Sequence, residues 1–328
     1  MGTALMRLLI TTTGGTLVGA FGAVNVCPAS FSLYPESNGT TTLNNSTLAL
    51  SGLPLTSPMN LQDFCAARAS SLERYMQAMA PPPSSPIAVA AEIAQLHTMR
   101  TESACSAAAE ELSVYQILFK FHDVDTRFGE ELSRWVEGEA ANTGRRRRLF
   151  TTFGWVSLLG GHTGHVRAED ALEELAYRVL LASGPYIKCA KTHFNRPRPH
   201  QCDTSLEPCI EEPPYAAYPS GHATQAELMA QLYSRLNPAR ATAYATLARD
   251  IARRREEVGL HFASDTTAGE AFGQALFLDV LHSVCEFTAA RARESSAAGT
   301  KLLMNDDEPY DQAVMMLCER LLPALAGS

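Results

Sequence analysis

The sequence predicts an all-α protein, a single-domain helical bundle preceded by an irregular N-terminal arm. Three observations carry this. Long stretches such as "AAEIAQLHTMRTESACSAAAEELSVYQILFKF" are rich in Ala, Glu and Leu, which are strong helix formers. In "EDALEELAYRVLLASGPYIK", Leu172, Leu175, Ala176, Val179 and Leu180 recur at helical spacing and make one apolar face. Alternating strand patterns are scarce, and no internal repeat is visible. Helices with one apolar stripe bury it against one another, which gives a bundle.

The elements follow in chain order. Residues 6 to 23, "MRLLITTTGGTLVGAFGA", begin with Arg7, continue through an apolar stretch and end on the small residues Gly22 and Ala23. That is the order of a secretory leader, so residues 1–25 are read as a signal peptide. Met6 stands where a myristoylation signal has Ser or Thr. Residues 26–85 read as an arm rich in Ser, Thr, Asn and Pro, with "APPPSSP" (Ala80 to Pro86) as its boundary. Asn38, Asn44 and Asn45 head triplets of the glycosylation type. The helical domain is placed at 86–295 and a C-terminal helical extension at 296–328. Gly184 and Pro185 predict a break, with Lys191 on a second short helix. Further helices are expected near 221–236, 238–258, 265–292 and 309–325.

Composition bounds the function. The 328 residues are 46% hydrophobic and 19% charged, within the globular range. The formal net charge of −8 argues against general nucleic-acid binding, which favours a basic surface. Outside the leader, no run of about 18 apolar residues is present, so no integral membrane bundle is expected. Eight cysteines, an even number, suit an exported and oxidised protein. Their spacing matches no zinc site. Cys202 and Cys209 are close enough in sequence to staple one loop, and a bridge between them is expected.

Three segments concentrate the chemistry. The first is "KTHFNRPRPH": Lys191, six residues, then Arg198 and Pro199. The second is "PSGH", residues 219–222. The third is Arg255, five residues, His261, three residues, Asp265. In "YPSGHAT" a hydroxyl, a glycine and a histidine stand where a helix begins. A helix start has unpaired amides and a partial positive charge. Ser220 is suited to cap it, Gly221 allows close approach to the backbone, and His222 stands beside any anion bound there.

Helical phase selects one arginine of the third segment. Tyr244, Leu247, Ala248 and Ile251 form a stripe that continues to Arg255 and Val258, while Arg253 and Arg254 fall to the sides. A charge on a core-facing stripe is expensive unless it is paired or binds a ligand. Gly259 lets the chain turn and present His261. Asp265, four residues on, shares a face with His261 if the chain between them is helical. A carboxylate–imidazole bond there fixes the tautomer and leaves the other ring nitrogen free to attack. Three cations, a hydroxyl, helix-start amides, two histidines and a carboxylate are what metal-free phosphoryl transfer requires. Lys191, Arg198 and Arg255 would neutralise the equatorial oxygens.

The combination K-x6-RP, PSGH and R-x5-H-x3-D resembles the signature of the type 2 phosphatidic acid phosphatase superfamily. That superfamily includes bacterial class A acid phosphatases, membrane lipid phosphatases and vanadium-dependent haloperoxidases. "RPRPH", "AYPSGHAT", "LNPARATAYATLARDIARRR" and "GLHFASD" are most similar to the soluble class A acid phosphatases. The likeness runs from about Pro81 to about Phe287.

The resemblance implies that His261 is the nucleophile that forms a phosphohistidine and that Asp265 orients it. His222 would be the general acid and then the base for water. Lys191, Arg198, Arg255, Ser220 and the Gly221 amide would hold the phosphate. It implies no cofactor and no metal, a secreted or periplasmic location, and a small phosphomonoester as substrate. Vanadate would inhibit as a phosphate mimic, or serve as cofactor under the alternative reading of a haloperoxidase. A third reading is a non-catalytic phosphate-binding relic. As partners, nucleic acid is not expected, and a homo-oligomer is compatible with the sequence. Two positions depart from the family pattern: Arg254 replaces its usual Ser, and His200 replaces the Phe usual in class A enzymes.

The remaining polar clusters have plainer readings. Arg196 is read as a rim charge. His162 and His165 in "GGHTGH" read as a surface loop, and Arg145 to Arg148 as a solvated run.

Overall fold

The computed structural model describes residues 17–19, 22–24, 27, 42–43, 45–52, 59–101, 105, 120–121, 168–297 and 308–322. Asn38, Asn44, Arg145 to Arg148, His162 and His165 lie outside these residues. The described chain is all-α apart from two short antiparallel pairs. β1 (Leu17–Gly19) pairs with β2 (Gly22–Val24), and β3 (Thr42–Leu43) pairs with β4 (Met59–Asn60). β1 and β2 fall within the stretch read as a leader. Among the described residues, no helix is long and apolar enough to cross a membrane.

The arm is less irregular than its composition suggested. It contains α1 (Asn45–Leu50), α2 (Leu61–Ala67) and α3 (Ala69–Met76). Asn60 caps α2 by accepting the Asp63 N–H at 2.9 Å. Leu48, Leu50, Phe64, Leu72 and Tyr75 are buried in the main core. The Ser/Thr/Pro bias hid these short helices because their apolar positions are few. Ser85 then caps α4 (Pro86–Met99), with Pro86 in the first turn where its missing N–H costs nothing.

The predicted break at Gly184–Pro185 does not occur. One helix, α5, runs Ala168–Phe194 with Pro185 inside it, so Lys191 rides on the same helix. Pro185 lacks the amide that would pair with the Leu181 carbonyl. Gly184 has no side chain to clash with the proline ring, and the neighbouring Ala182 carbonyl accepts from the Ser51 hydroxyl at 3.1 Å. Burial of Leu172, Leu175, Ala176, Val179 and Leu180 on one side and Tyr186 and Ile187 on the other outweighs the local defect.

α6 (Pro199–Cys202) is a single turn, and α7 (Gly221–Leu236) is the central helix. Its buried residues run from Ala223 to Leu236 and cover nearly all its faces, as expected for a helix surrounded by others. A 3-10 turn at Pro238–Arg240 leads to α8 (Ala241–Glu257), and α9 (Ala263–Ala297) follows. α10 (Glu308–Leu321) closes the bundle against α5 and α9. Buried Arg178 on α5 bonds Asp311 of α10 at 2.6 Å, Glu174 at 2.7 Å and the Thr288 hydroxyl at 3.0 Å. A buried pair of this kind specifies how α10 docks.

Four disulfides are formed: Cys27–Cys202, Cys65–Cys189, Cys105–Cys209 and Cys285–Cys318. The expected Cys202–Cys209 bridge is therefore absent. Cys202 packs with Ile93, Leu96, Leu206 and Phe262, whereas Cys209 packs with Val258 and Leu260. The two thiols are held in separate apolar clusters, and each takes a partner from earlier in the chain.

Candidate active site

The third segment is shaped by the end of α8. Gly259 has φ +80°, which favours glycine. Its N–H donates to the Glu256 carbonyl at 2.8 Å, and the Leu260 N–H donates to the Arg255 carbonyl at 3.1 Å. These two bonds form the Schellman stop, and the chain then turns through residues 260–262 into α9. Arg255 is buried on the inward side of α8, Arg253 is exposed and Arg254 is intermediate, as the helical phase required.

His261 precedes α9, and Asp265 sits in its first turn. The His261–Asp265 approach therefore depends on the turn, not on two residues of one helix. Asp265 Oδ2 accepts the Phe262 N–H at 2.9 Å and faces His261 Nδ1 at 3.2 Å. The reach back to Phe262 is the helix-start capping pattern, so one carboxylate both starts α9 and orients the imidazole. On the other ring nitrogen, Arg198 Nη1 lies 3.4 Å from His261 Nε2. With Nδ1–H donating to the carboxylate, Nε2 keeps its lone pair on the arginine side.

The first segment wraps the same turn. Asn195 ends α5 with φ 46°, and its N–H donates to the Lys191 carbonyl at 2.9 Å. Two residues apart in the extended chain that follows, Arg196 and Arg198 both face residues 260–265. Arg198 donates to the Leu260 carbonyl at 2.8 Å and the Tyr215 carbonyl at 3.0 Å. Arg196 corrects the rim reading. It is buried, pairs with Asp265 Oδ1 at 2.5 Å and Glu92 at 2.6 Å, and lies over the Phe262 ring. Lys191 donates to the Ala216 and Ala217 carbonyls at 2.7 and 3.1 Å.

Ser220 caps α7 as its sequence suggested, with its hydroxyl accepting the Ala223 N–H. Its own N–H donates to the Asp265 carbonyl at 2.9 Å, tying the second segment to the third. This contact depends on Gly269 and Gly273 of α9. A Cβ on Gly269 would stand 2.5 Å from the Ser220 carbonyl, and one on Gly273 would stand 2.8 Å from the Thr224 carbonyl. The two glycines let α9 cross directly against the backbone of α7. Sequence reasoning passed over them, although their i,i+4 spacing on one helix face was the available signal. It also missed Glu92 and misplaced Arg196. Two arginines spaced by two beside a turn was the signal for the latter.

The electrostatics follow from this crowding. Burial pushes His261 down to about 3, with Arg198 and Lys191 acting in the same direction and Asp265 opposing them. Burial, then Arg255, His261, Lys191 and Arg198, holds His222 well below the ordinary histidine value. His222 Nε2 is buried and has no hydrogen-bond partner among the described residues. Lys191 is lowered by burial and by Arg198, against Asp265. Burial raises Asp265, but Arg196, His261 and the Phe262 amide outweigh it and leave a lowered value. The three sequence segments thus converge on one cationic cluster around two neutral imidazoles, a surrounding that favours an anion.

A pH dependence follows. An unfolded histidine binds its proton near pH 6.5, whereas folded His261 binds it only near 3. Across that window the unfolded chain holds more protons, so stability falls as pH drops below about 6.5. His222 acts in the same direction, and Asp265 adds its loss only below the ordinary carboxylate range. Buried Glu256 is raised and acts oppositely, so the test is a difference. The fall in thermal midpoint from about pH 7 to about pH 4 is expected to be smaller in His222→Asn than in the parent protein. Equal slopes would sink this prediction.

No family model matches the sequence, and no curated protein matches it. Among solved structures, the chain is similar to a crystal structure described as the first bacterial vanadium-dependent iodoperoxidase. That likeness has a TM-score of 0.38 and 15% identity, over 64% of this chain and 53% of that one. It is also similar to a transmembrane PAP2-type phosphatidylglycerolphosphate phosphatase from Bacillus subtilis. Here the TM-score is 0.28 and the identity 16%, over 66% of this chain and 98% of that one. The chain spans about half the length of the iodoperoxidase.

Proposed function

We propose that this protein is a metal-independent phosphatase of the type 2 phosphatidic acid phosphatase superfamily that hydrolyses small phosphomonoesters. The observation that carries the reading is His261: Asp265 holds it through Nδ1, and its Nε2 lies beside Arg198 in the cationic cluster. A neutral imidazole with a fixed tautomer beside Arg198, and under the influence of Lys191, is a nucleophile facing an anion site.

In this reading Lys191, Arg198 and Arg255, with Ser220 and the Gly221 amide, hold the phosphate. His261 Nε2 attacks phosphorus as the bond to the leaving oxygen breaks. His222 gives its proton to that alkoxide. Water then attacks the phosphohistidine, His222 takes its proton, and inorganic phosphate and free His261 are released. His222 must be protonated at the first step, although its surroundings lower its pKa. Burial is the main cause of that lowering, and the bound dianion works against it by offsetting Arg255, Lys191 and Arg198, which favours the protonated form of His222 when substrate binds. The four disulfides support the reading of an oxidising compartment, secreted or periplasmic.

The test compares leaving groups. Purified protein is expected to hydrolyse p-nitrophenyl and alkyl phosphates in chelator, with inhibition by vanadate. His222→Ala should lower alkyl phosphate turnover about 100-fold or more, and p-nitrophenyl phosphate turnover far less, because a good leaving group needs less protonation. Equal losses contradict the acid role. Peroxide-driven halide oxidation that requires vanadate, without phosphomonoester turnover, would replace the phosphatase reading.

A further inference from the structure

The charges behind Asp265 do more than the phosphate chemistry demands. Arg196 Nη1 bonds Asp265 Oδ1 at 2.5 Å and donates to the Ser264 hydroxyl at 2.7 Å. Its Nη2 donates to Glu92 Oε2 at 2.6 Å. Glu92 Oε1 in turn accepts the Ser264 N–H at 3.0 Å, and the guanidinium lies 4.1 Å from the Phe262 ring centroid. Glu92 comes from α4, a helix that carries none of the three motif segments. Its side chain is 13% exposed and that of Arg196 is 6% exposed.

We infer that Arg196, anchored by Glu92, is a positioning residue that locks the Asp265 carboxylate in the rotamer holding His261 Nδ1–H. The inference rests on the phosphatase reading only for its consequence in turnover. Both oxygens of Asp265 are engaged: Oδ2 by the Phe262 amide and His261, Oδ1 by Arg196. Removal of the guanidinium leaves Oδ1 as a buried carboxylate oxygen without its charged partner. The group then rotates or takes up a proton. In either case it no longer fixes the Nδ1–H tautomer, and Nε2 loses its lone pair for part of the time. A purely structural ion pair would change stability and leave the imidazole as it was.

The test reads the imidazole itself. In full-length protein with ¹⁵N-labelled histidine, His261 is assigned by the resonances missing from His261→Gln. The parent protein is expected to show a protonated Nδ1 and an unprotonated Nε2. Arg196→Met should lose that pattern, and Arg196→Lys should keep most of it. Turnover of p-nitrophenyl phosphate by Arg196→Met should fall about 10- to 100-fold, the range for losing the group behind an imidazole, with KM little changed. Should Arg196→Met not fold, Glu92→Ala frees the second arm of the guanidinium and is expected to weaken the same resonance. A folded variant that keeps both the parental tautomer and the parental kcat overturns the inference. A tautomer change in a protein that hydrolyses no phosphomonoester upholds the positioning role and overturns the phosphatase.

Discussion

His261→Ala is expected to give a folded protein that binds phosphate and turns over no phosphomonoester. Lys191, Arg198 and Arg255 remain to hold the anion, so binding survives. The imidazole that Asp265 orients toward the cationic cluster is gone, so kcat should fall about 10⁴-fold or more. Asp265 keeps Arg196 and the Phe262 amide as partners, so loss of the imidazole leaves no orphaned carboxylate. The thermal midpoint should therefore move little. A rapid acid quench with ³²P-labelled substrate should trap acid-labile phosphoenzyme in the parent protein and none in the variant. Turnover within about tenfold of the parent would remove His261 from the mechanism.

The second large effect lies away from the reacting atoms. Gly269→Ala adds one methyl group, which would stand 2.5 Å from the Ser220 carbonyl and 2.8 Å from Ala223 Cβ. Carbon and oxygen need roughly 3.5 Å, so α7 and α9 must part by about 1 Å at the site. The methyl raises helix propensity by about 1 kcal/mol, which offsets part of an overpacking cost of about 1–3 kcal/mol. Stability therefore changes modestly. Activity does not share the compensation, because the parting moves Ser220 and His222 relative to His261. A displacement of that size costs about 100-fold in kcat. Gly269→Ala should thus fold, melt within several degrees of the parent and be about 100-fold slower. Parental kcat in Gly269→Ala would show that the close crossing does not set the site.

Much of this was readable from residue types and spacing. The inward turn of Arg255 followed from a stripe of apolar residues, because a helix has one phase and that phase carries onward to its last turn. Ser220 as a cap followed from its place before a helical run. What could not be read was whatever depended on a neighbour from elsewhere in the chain. Pro185 is a local breaker, and only packing on both sides of it keeps α5 whole. Cys202 and Cys209 look like partners in sequence, but the apolar clusters that hold them apart include Ile93, Leu96 and Val258. Arg196 looks like a surface charge until Glu92 and Asp265 are brought to it. Gly269 and Gly273 carry no chemistry of their own, and their importance appears only when another backbone lies against them.

The disulfide pattern has a consequence for anyone preparing the protein from denatured material. Cys202 and Cys209 are seven residues apart, whereas their native bonds close over 175 and 104 residues. Diffusive encounter favours the shorter loop by about 2–3 kcal/mol. Uncontrolled oxidation of a reduced chain thus captures the wrong couple first and strands Cys27 and Cys105. Good yields call for a glutathione buffer or an isomerase that lets early mistakes be exchanged.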